Sequence, residues 1–558
     1  MRVKTRAMAA AAVTSLALLA ACGGGGAETP DPGTSQAPGQ TGGEITVAGC
    51  TPQNPLVPGN TAEVCGGDII DAMTSKLVEY ATENAAPQND IAESIDTTDN
   101  KTFTVKLKPY KFHDGTDVTA KSFVDAWNYT AYGPNGQEGS YFMGSIAGYQ
   151  DTQCGKKADG AADCEGKPAK AKTMSGLKVV DDKTFTIQTS EPVSNLPVRL
   201  GYTAYSPLPE SFFEDPKAFE KKPVGAGQFK VDSISNTEIV LSKFAEFSGA
   251  NKANVDKLTF RIYQDPAAAY ADAVAGSLDY IDDSNIPPDQ LIGEAYKSDF
   301  PDRTSQRESL TTGWITFSPA DSQLAGAANV EKRKAISRAI DRDLIVKQIF
   351  SGTRTPATGW VSPAVDGYKP DTCGDSCKFD AAAAKTAFEA AGGYQGTLTM
   401  SYNADGPNKA WSEAVCNSVK NSLGVNCVAT PVVDLATFLD KAGAGELKGM
   451  FRNGWQADYP SIENYLSPIY ARGAFPPQGS NYAKYDNPEF DKLLTQAAAA
   501  PSLDEANALY QQAEGLLATD FPTAPLWYNK TTSAWSDRVT DVQVSAFGVL
   551  DFAAIKVK

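Results

Sequence analysis

The chain has 558 residues, 50 basic against 67 acidic side chains and a single histidine, for a formal net charge of −17. So acidic a balance argues against nucleic acid or anionic lipid as a partner. One histidine excludes a zinc His-Glu-x-x-His site and leaves His113 as the only base for a Ser-His or Cys-His nucleophile pair; carboxylate-only hydrolases such as glycosidases stay open.

Residues 1 to 22 begin with Arg2, Lys4 and Arg6, continue apolar from Ala7 to Ala21 and end Leu19-Ala20-Ala21-Cys22. A charged start, an apolar stretch of about fifteen residues and small residues before the cut describe a secretory signal over 1–21, since a membrane span needs ~20 apolar residues. Leu-Ala-Ala-Cys is similar to the lipobox of bacterial lipoproteins, which implies a mature chain starting at a lipidated Cys22 and anchored in the membrane by two or three acyl chains. The alternative is a plain signal peptide with an incidental cysteine. Residues 22–43 hold almost nothing that can be buried and read as a disordered tether with a reach of roughly 25 Å. Without the three basic residues of the signal the mature chain carries 47 basic against 67 acidic residues, a net −20.

The body from Glu44 to Lys558 is longer than one hydrophobic core usually serves, so two or three domains are expected. Glu44 to Val47 reads as a first strand, and Lys101 to Lys108 alternates apolar and polar as a half-buried strand does. Thr119 is placed as the N-cap of a helix carrying Phe123, Val124 and Trp127 on one face. Gly133 to Gly176 reads as an elaborated loop region, and Lys183 to Thr189 as another strand. Glu331 to Phe350 has three/four apolar spacing and reads as one long helix ended by Gly352; Asp504 to Ala518 is a similar late helix. The mixture indicates an α/β architecture.

Beyond Cys22 the cysteines fall in four close pairs, Cys50/Cys65, Cys154/Cys164, Cys373/Cys377 and Cys416/Cys427. An even count in an exported chain reads as disulfides, with local pairing the simplest of 105 connectivities. A metal site is the rival reading, but Cys-x-x-Cys is missing and Cys373-Gly-Asp-Ser-Cys377 has no histidine nearby.

Four segments in order resemble the extracellular solute-binding proteins, family 5, of ABC importers for oligopeptides, dipeptides and related solutes. Phe112-His-Asp-Gly-Thr-Asp-Val-Thr-Ala120 is similar to the family's (F/W)-x-D-G-x-x-V-T-A signature, with Ser122 where an acidic residue is usual. Pro223-Val-Gly-Ala-Gly-Gln-Phe-Lys230 resembles its V-G-(T/A)-G-P-(Y/F)-K turn. Arg333 to Arg342 resembles R-x-A-(I/L)-x-x-A-I-D-R, and Asn487 to Leu494 resembles N-P-x-(F/Y)-D-x-L-L. As physical chemistry, Asp114-Gly115 is a turn signal, His113 beside it satisfies local backbone, and Asp341 and Arg342 pair with neighbouring turns.

The resemblance implies a two-lobed, periplasmic-binding-protein-like (Venus flytrap) α/β fold with an extra subdomain in the first lobe. Lobe I is expected from 44–81, 174–262 and 529–558, the subdomain from 82–173 and lobe II from 263–528, with Lys257 to Tyr263 as a hinge strand. It also implies a non-enzymatic monomer without cofactor or metal, held on the outer face of the cell membrane, that delivers oligopeptides to an ABC permease driven by a cytoplasmic ATPase. Other solutes known in the family, an oligosaccharide, haem or a metal chelate, are the alternative, and a secreted carboxylate-only hydrolase is the remote one.

Recognition is expected at Arg452-Asn-Gly-Trp-Gln-Ala-Asp-Tyr459, which resembles the G-W-x-A-D-Y stretch of oligopeptide binders. There Asp458 would hold the peptide α-ammonium and Trp455 wall a side-chain pocket, with Tyr459 beside them. A charge taken out of water needs such a partner. By position the resemblance adds Arg452 for the ligand carboxylate, Asn60 in the loop after the first strand, and Trp527 and Tyr528 as an aromatic patch near the hinge.

Overall fold

The computed structural model describes residues 41–61, 63–156, 162–476 and 479–558. The expected signal at 1–21, Cys22 and nearly all of the tether lie outside the described residues. Gly42 is already docked, its N–H donating to the Asn254 carbonyl at 2.6 Å, and the Gly43 N–H reaches the Asp256 carboxylate at 3.2 Å.

A single sheet of eleven strands runs through the body. One half orders Phe229–Ile234, Glu238–Lys243, Lys257–Ile262, Glu44–Gly49 and Tyr280–Asp282; the other orders Met450–Gln456, Leu398–Asn403 and Cys427–Val432. Two long antiparallel strands, Thr304–Phe317 and Thr523–Trp535, join the halves, and the short strand Arg354–Pro356 pairs with the second of them. Thr304 to Glu308 pairs with Lys530 to Ala534, Thr312 to Thr316 pairs with Thr523 to Tyr528, and the register shifts between Glu308 and Thr312. Such a bulge bends a strand and increases its twist. At the bulge the Leu310 N–H donates to Ala546 O at 3.2 Å, while its carbonyl accepts from Ala457 N–H at 3.2 Å and Tyr465 Oη at 2.7 Å.

The crossing therefore lies in these two strands. Lys257–Ile262, expected as the hinge, is an interior strand paired on one side with Glu44–Gly49 and on the other with Glu238–Lys243. Residues 263–303, expected in lobe II, pack instead on the first half: Tyr270, Leu278, Ile281, Tyr296 and Phe300 share a core with Ala534, with Ala48 against it, and Tyr280 pairs with Val47.

The extra subdomain has its own antiparallel sheet, ordered Ala92–Thr97, Thr102–Leu107, Thr184–Gln188, Leu177–Asp181. Its second hairpin extends the subdomain beyond the expected end at 173. The helix Ala120–Ala131 lays Phe123 and Trp127 on Phe185, with ring centroids 5.8 and 5.6 Å apart. Thr119 caps it in a reciprocal box with Ser122, whose hydroxyl accepts the Thr119 N–H at 3.2 Å and so does the work of the usual acidic residue.

The Phe112-His113-Asp114-Gly115 turn and the Pro223 to Lys230 turn form one packing unit. His113 Nε2 lies 2.9 Å from Gly227 O and Nδ1 accepts from the Gly225 N–H at 3.2 Å, which fixes a neutral ring. Burial, the largest influence, pushes its pKa down to about 4. A Cβ on Gly225 would stand 1.9 Å from Met73 O, so only glycine lets this turn close on the end of helix Val64–Met73.

The helix expected over Glu331 to Phe350 is broken into Val330–Arg338 and Arg342–Ile349. Asp341 caps the second, accepting from Leu344 N–H at 3.0 Å. Arg342, buried at the joint, donates Nε to Pro525 O at 2.8 Å and Nη1 to Ser337 O at 2.9 Å. A buried guanidinium needs acceptors, and the helix break frees them. The late helix runs Leu503–Asp520. All four cysteine pairs bond locally: Cys50–Cys65, Cys154–Cys164, Cys373–Cys377 and Cys416–Cys427. Among the described residues no helix is long and apolar enough to cross a membrane.

Candidate functional site

Strand Met450–Gln456 pairs with the crossing strand through Gly454↔Gly313 and Trp455↔Thr312, then leaves the sheet at Ala457 and turns into helix Glu463–Tyr470. Buried Asn464, in the first turn of that helix, ties the segment together. Its Oδ1 accepts from the Asp458 N–H and from Trp455 Nε1, both at 3.0 Å, and its Nδ2 donates to Asp458 Oδ2 at 3.3 Å. Asp458 is thus half-buried with one light hydrogen bond on its carboxylate. Burial raises its pKa and the charge of Glu463 raises it further, while the Asn464 hydrogen bond and Arg199 act the other way. A half-buried carboxylate held this way favours a cation beside it.

Next to Asp458, Glu463 is buried and its Oε2 receives three donors: Tyr459 Oη at 2.7 Å, Asn195 Nδ2 at 3.0 Å and Arg199 Nη2 at 3.2 Å. The Arg199 guanidinium also lies 5.0 Å from the Tyr459 ring centroid. Burial alone would raise the Glu463 pKa, but Arg199 and these hydrogen bonds outweigh it and hold the carboxyl below its usual range. Three residues beyond Arg199, Tyr202 is pushed up to about 12 by burial and by the charge of Asp458. Tyr202 stacks on Phe142 at 4.0 Å and Phe142 on exposed Tyr141 at 4.2 Å, an aromatic wall near Asp458.

Tyr202 and Gln456 both line a cavity of about 260 Å³, formed mainly by the first half with helix Val64–Met73 and the segment Ser545 to Ala553, to which the second half contributes Gln456. Its carboxylates are Glu63, Asp68, Asp71, Glu79, Asp90 and Asp551, against Lys76 as the one cation among the described lining residues, and Lys76 Nζ is bound to Asp71 at 2.5 Å. Burial raises the Asp68 pKa well above its usual value, and Asp282, Asp71 and Glu63 add to the rise. The cavity is negative and suits a ligand with a positive end.

The structure brings together only part of the expected set. Trp455 and Asp458 share Asn464 and lie one and two residues from Gln456, the residue of this segment that lines the cavity. Tyr459 is buried with its hydroxyl committed to Glu463, so it supports the loop rather than facing ligand. Arg452 is occupied by its own lobe, donating Nε to Asn403 Oδ1 at 2.7 Å with its guanidinium 5.3 Å from the Phe438 ring centroid. Asn60 braces a loop, accepting the Glu138 N–H at 3.2 Å; its neighbour Thr61 lines the cavity. Trp527 and Tyr528 are core residues. Trp527 packs against Phe350 and Trp411 and across Gly313, and Tyr528 Oη donates to Gly359 O at 3.2 Å. Inward-facing aromatics on a crossing strand fill the space between helices, and nothing local distinguishes them from a ligand patch. Arg199, Asn195 and Glu463 were missed because they meet from distant segments, and Asn464 because it lies just beyond the motif-like stretch that it ties together.

A family model described as bacterial extracellular solute-binding proteins, family 5 (middle), matches residues 86–477, well over half of the chain. The chain belongs to that family. One curated relative extends the likeness across almost the whole chain, and others cover most of it. The oligopeptide-binding protein OppA of Bacillus subtilis is 25% identical over 96% of this chain and 96% of its own. The periplasmic oligopeptide-binding protein OppA of Escherichia coli is 29% identical over 79% of each. The heme-binding protein A of Haemophilus influenzae is 25% identical over 69% of this chain and 70% of its own. Among solved structures, the unliganded open form of the periplasmic murein tripeptide-binding protein MppA superimposes with a TM-score of 0.79 at 22% identity, covering 93% of this chain and 98% of that one. The Haemophilus influenzae OppA complex with the peptide RPPGFSPFR gives 0.63 at 22% identity, covering 93% and 100%. The fold is thus the two-lobed α/β periplasmic-binding-protein fold, with the extra subdomain built on the first lobe, and the chain is a solute-binding protein.

Proposed function

We propose that this protein is an extracytoplasmic, lipid-anchored, monomeric peptide-binding protein that captures oligopeptides between its lobes and delivers them to an ABC permease driven by a cytoplasmic ATPase, without catalysing a reaction. The observation that carries the reading is the half-buried Asp458, held with Trp455 by Asn464 and lying two residues beyond Gln456, which lines a cavity rich in carboxylates. A peptide α-ammonium fits it: charge-assisted hydrogen bonds to Asp458 contribute about 1.5 to 3 kcal/mol and are common to every peptide. The names of the OppA relatives support the same ligand class.

The lobes close on ligand in this reading, turning at the register shift between Glu308 and Thr312. At equal identity and equal coverage of this chain, the unliganded open structure superimposes better than the peptide complex, which supports an open, ligand-ready arrangement here. The lipid anchor rests on Leu19-Ala20-Ala21-Cys22. Haem is the second reading, favoured by the heme-binding relative. Histidine is not at hand to ligate it, since the sole one, His113, is bonded at both nitrogens to the Gly225–Gly227 turn.

Native mass spectrometry of residues 44 to 558, as purified and after exposure to a mixed library of short peptides, tests the proposal. Retained masses matching peptides support it. A protein that ignores the library and carries a tetrapyrrole, sugar or chelate overturns it.

A further inference from the structure

The Arg199–Glu463 contact joins the two sides of the cleft away from the crossing strands. Asn195 and Arg199 sit on the four-residue helix Leu196–Arg199 and its N-cap, whose Leu196 belongs to the subdomain core; Glu463 begins the helix that follows the Asp458 loop, in the second lobe. Asn195 makes three hydrogen bonds: its Nδ2 donates to Glu463 Oε2 at 3.0 Å and to Ser461 Oγ at 3.2 Å, and its Oδ1 accepts from Arg199 Nε at 3.1 Å. Asn195 and Glu463 are buried, and Arg199 is mostly so. The same seam continues at Ser194, whose Oγ donates to Ala497 O at 2.8 Å.

Resting on the peptide-binding reading above, we propose that Arg199 and Asn195 are positioning residues for ligand recognition: by docking on Glu463 from the opposite side of the cleft, they fix the loop from Ala457 to Asn464 and so set where Asp458 stands. Three features support it. Glu463 lies directly before Asn464, which holds both the backbone and the carboxylate of Asp458. Tyr459, directly after Asp458, is gripped by the same pair, its ring beside Arg199 and its hydroxyl on Glu463. A buried carboxylate that loses its cation cannot stay as it is, so removing Arg199 must either expel Glu463 toward water or protonate it, and both undo the dock. The general surface role of an arginine does not account for three donors converging on one buried oxygen.

The test compares a free alanine tripeptide with its N-acetylated form on the wild type, Arg199→Met and Arg199→Lys, each with and without Asp458→Asn. The expected result is that Arg199→Met lowers the preference for the free over the acetylated peptide by about fivefold or more, leaves affinity for the acetylated form within about twofold, and has no further effect on that preference once Asp458 is Asn. Arg199→Lys keeps the charge but not the fork and is expected to fall between, and it serves if Arg199→Met does not fold. Equal weakening of both peptides, or the same loss with and without Asp458, overturns the proposal and leaves only a stabilising contact. Amide hydrogen exchange on the ligand-free protein decides without any peptide. Faster exchange of the amides from 458 to 464 in the Arg199 variant supports the dock, and unchanged protection there overturns it. A wild type that binds neither peptide refutes the peptide reading, whereas the exchange result still judges the dock.

Discussion

Asn464 holds Asp458 from two sides, accepting its backbone N–H at 3.0 Å and donating to its carboxylate at 3.3 Å. The carboxylate is positioned by this amide and is not neutralised by it. In the empty protein that is a cost, because burial raises the Asp458 pKa above its unfolded value.

Asp458→Asn is therefore expected to stabilise the ligand-free protein at neutral pH. The penalty on the ionised group is fully present above the folded pKa, shrinks as pH falls and vanishes below the unfolded value of about 3.9. Thermal unfolding of both proteins at pH 7 and near pH 3 checks this. A gain in Tm at pH 7 that is absent near pH 3 is the predicted pattern.

His113 carries the opposite pH signature. Its folded pKa of about 4 lies below the ordinary 6.5, so the unfolded chain takes up a proton first as pH falls. Stability from the neutral ring is complete above about 6.5, declines through the interval and is gone below about 4. His113→Gln is expected to flatten the denaturation midpoint between those pH values, measured against the wild type.

Gly225→Ala is expected to cost about 1 to 3 kcal/mol or more, since its Cβ would stand 1.9 Å from Met73 O, and backbone must move to admit it. Urea denaturation measures it. Gly276→Ala is no control, because Gly276 has a φ of 74°. Gly67 is one, with open space where its Cβ would go and a place inside helix Val64–Met73, and Gly67→Ala is expected to leave stability unchanged or slightly raised.

The Cys416–Cys427 bond ties helix Lys409–Leu423 to the strand Cys427–Val432 across a sequence separation of 11. In the chain-entropy model, closing so short a loop contributes ~3 kcal/mol. Replacing both cysteines by serine is expected to lower stability by about that amount, read by denaturation under oxidising conditions.

Much of this architecture is legible locally. The Thr119 cap, the alternation in Thr102–Leu107 and the four near cysteine pairs all depend on neighbours within a short stretch, whereas His113, expected to satisfy local backbone, bonds instead to the distant Gly225–Gly227 turn. The crossing was not legible, because Lys257–Ile262 and Thr304–Phe317 both read as strands and only their partners show which one spans the halves. The break between Arg338 and Arg342 was hidden for the same reason. The apolar spacing runs through it, and the cause is a buried guanidinium seeking Pro525 O, far along the chain. At the site, motif likeness located Trp455 and Asp458 together. It also suggested Tyr459, Trp527 and Tyr528, whose burial depends on Glu463, Phe350 and Gly359, and it gave no sign of Arg199.

The central claim is that a peptide is held through its α-ammonium at Asp458, and titration calorimetry with a free tripeptide and its N-acetylated form tests it most directly. Acetylation is expected to weaken binding to the wild type at least tenfold, ~1.4 kcal/mol. Asp458→Asn should weaken the free peptide by a similar factor and leave the acetylated one unchanged. Equal binding of the two peptides to the wild type would contradict the role given to Asp458.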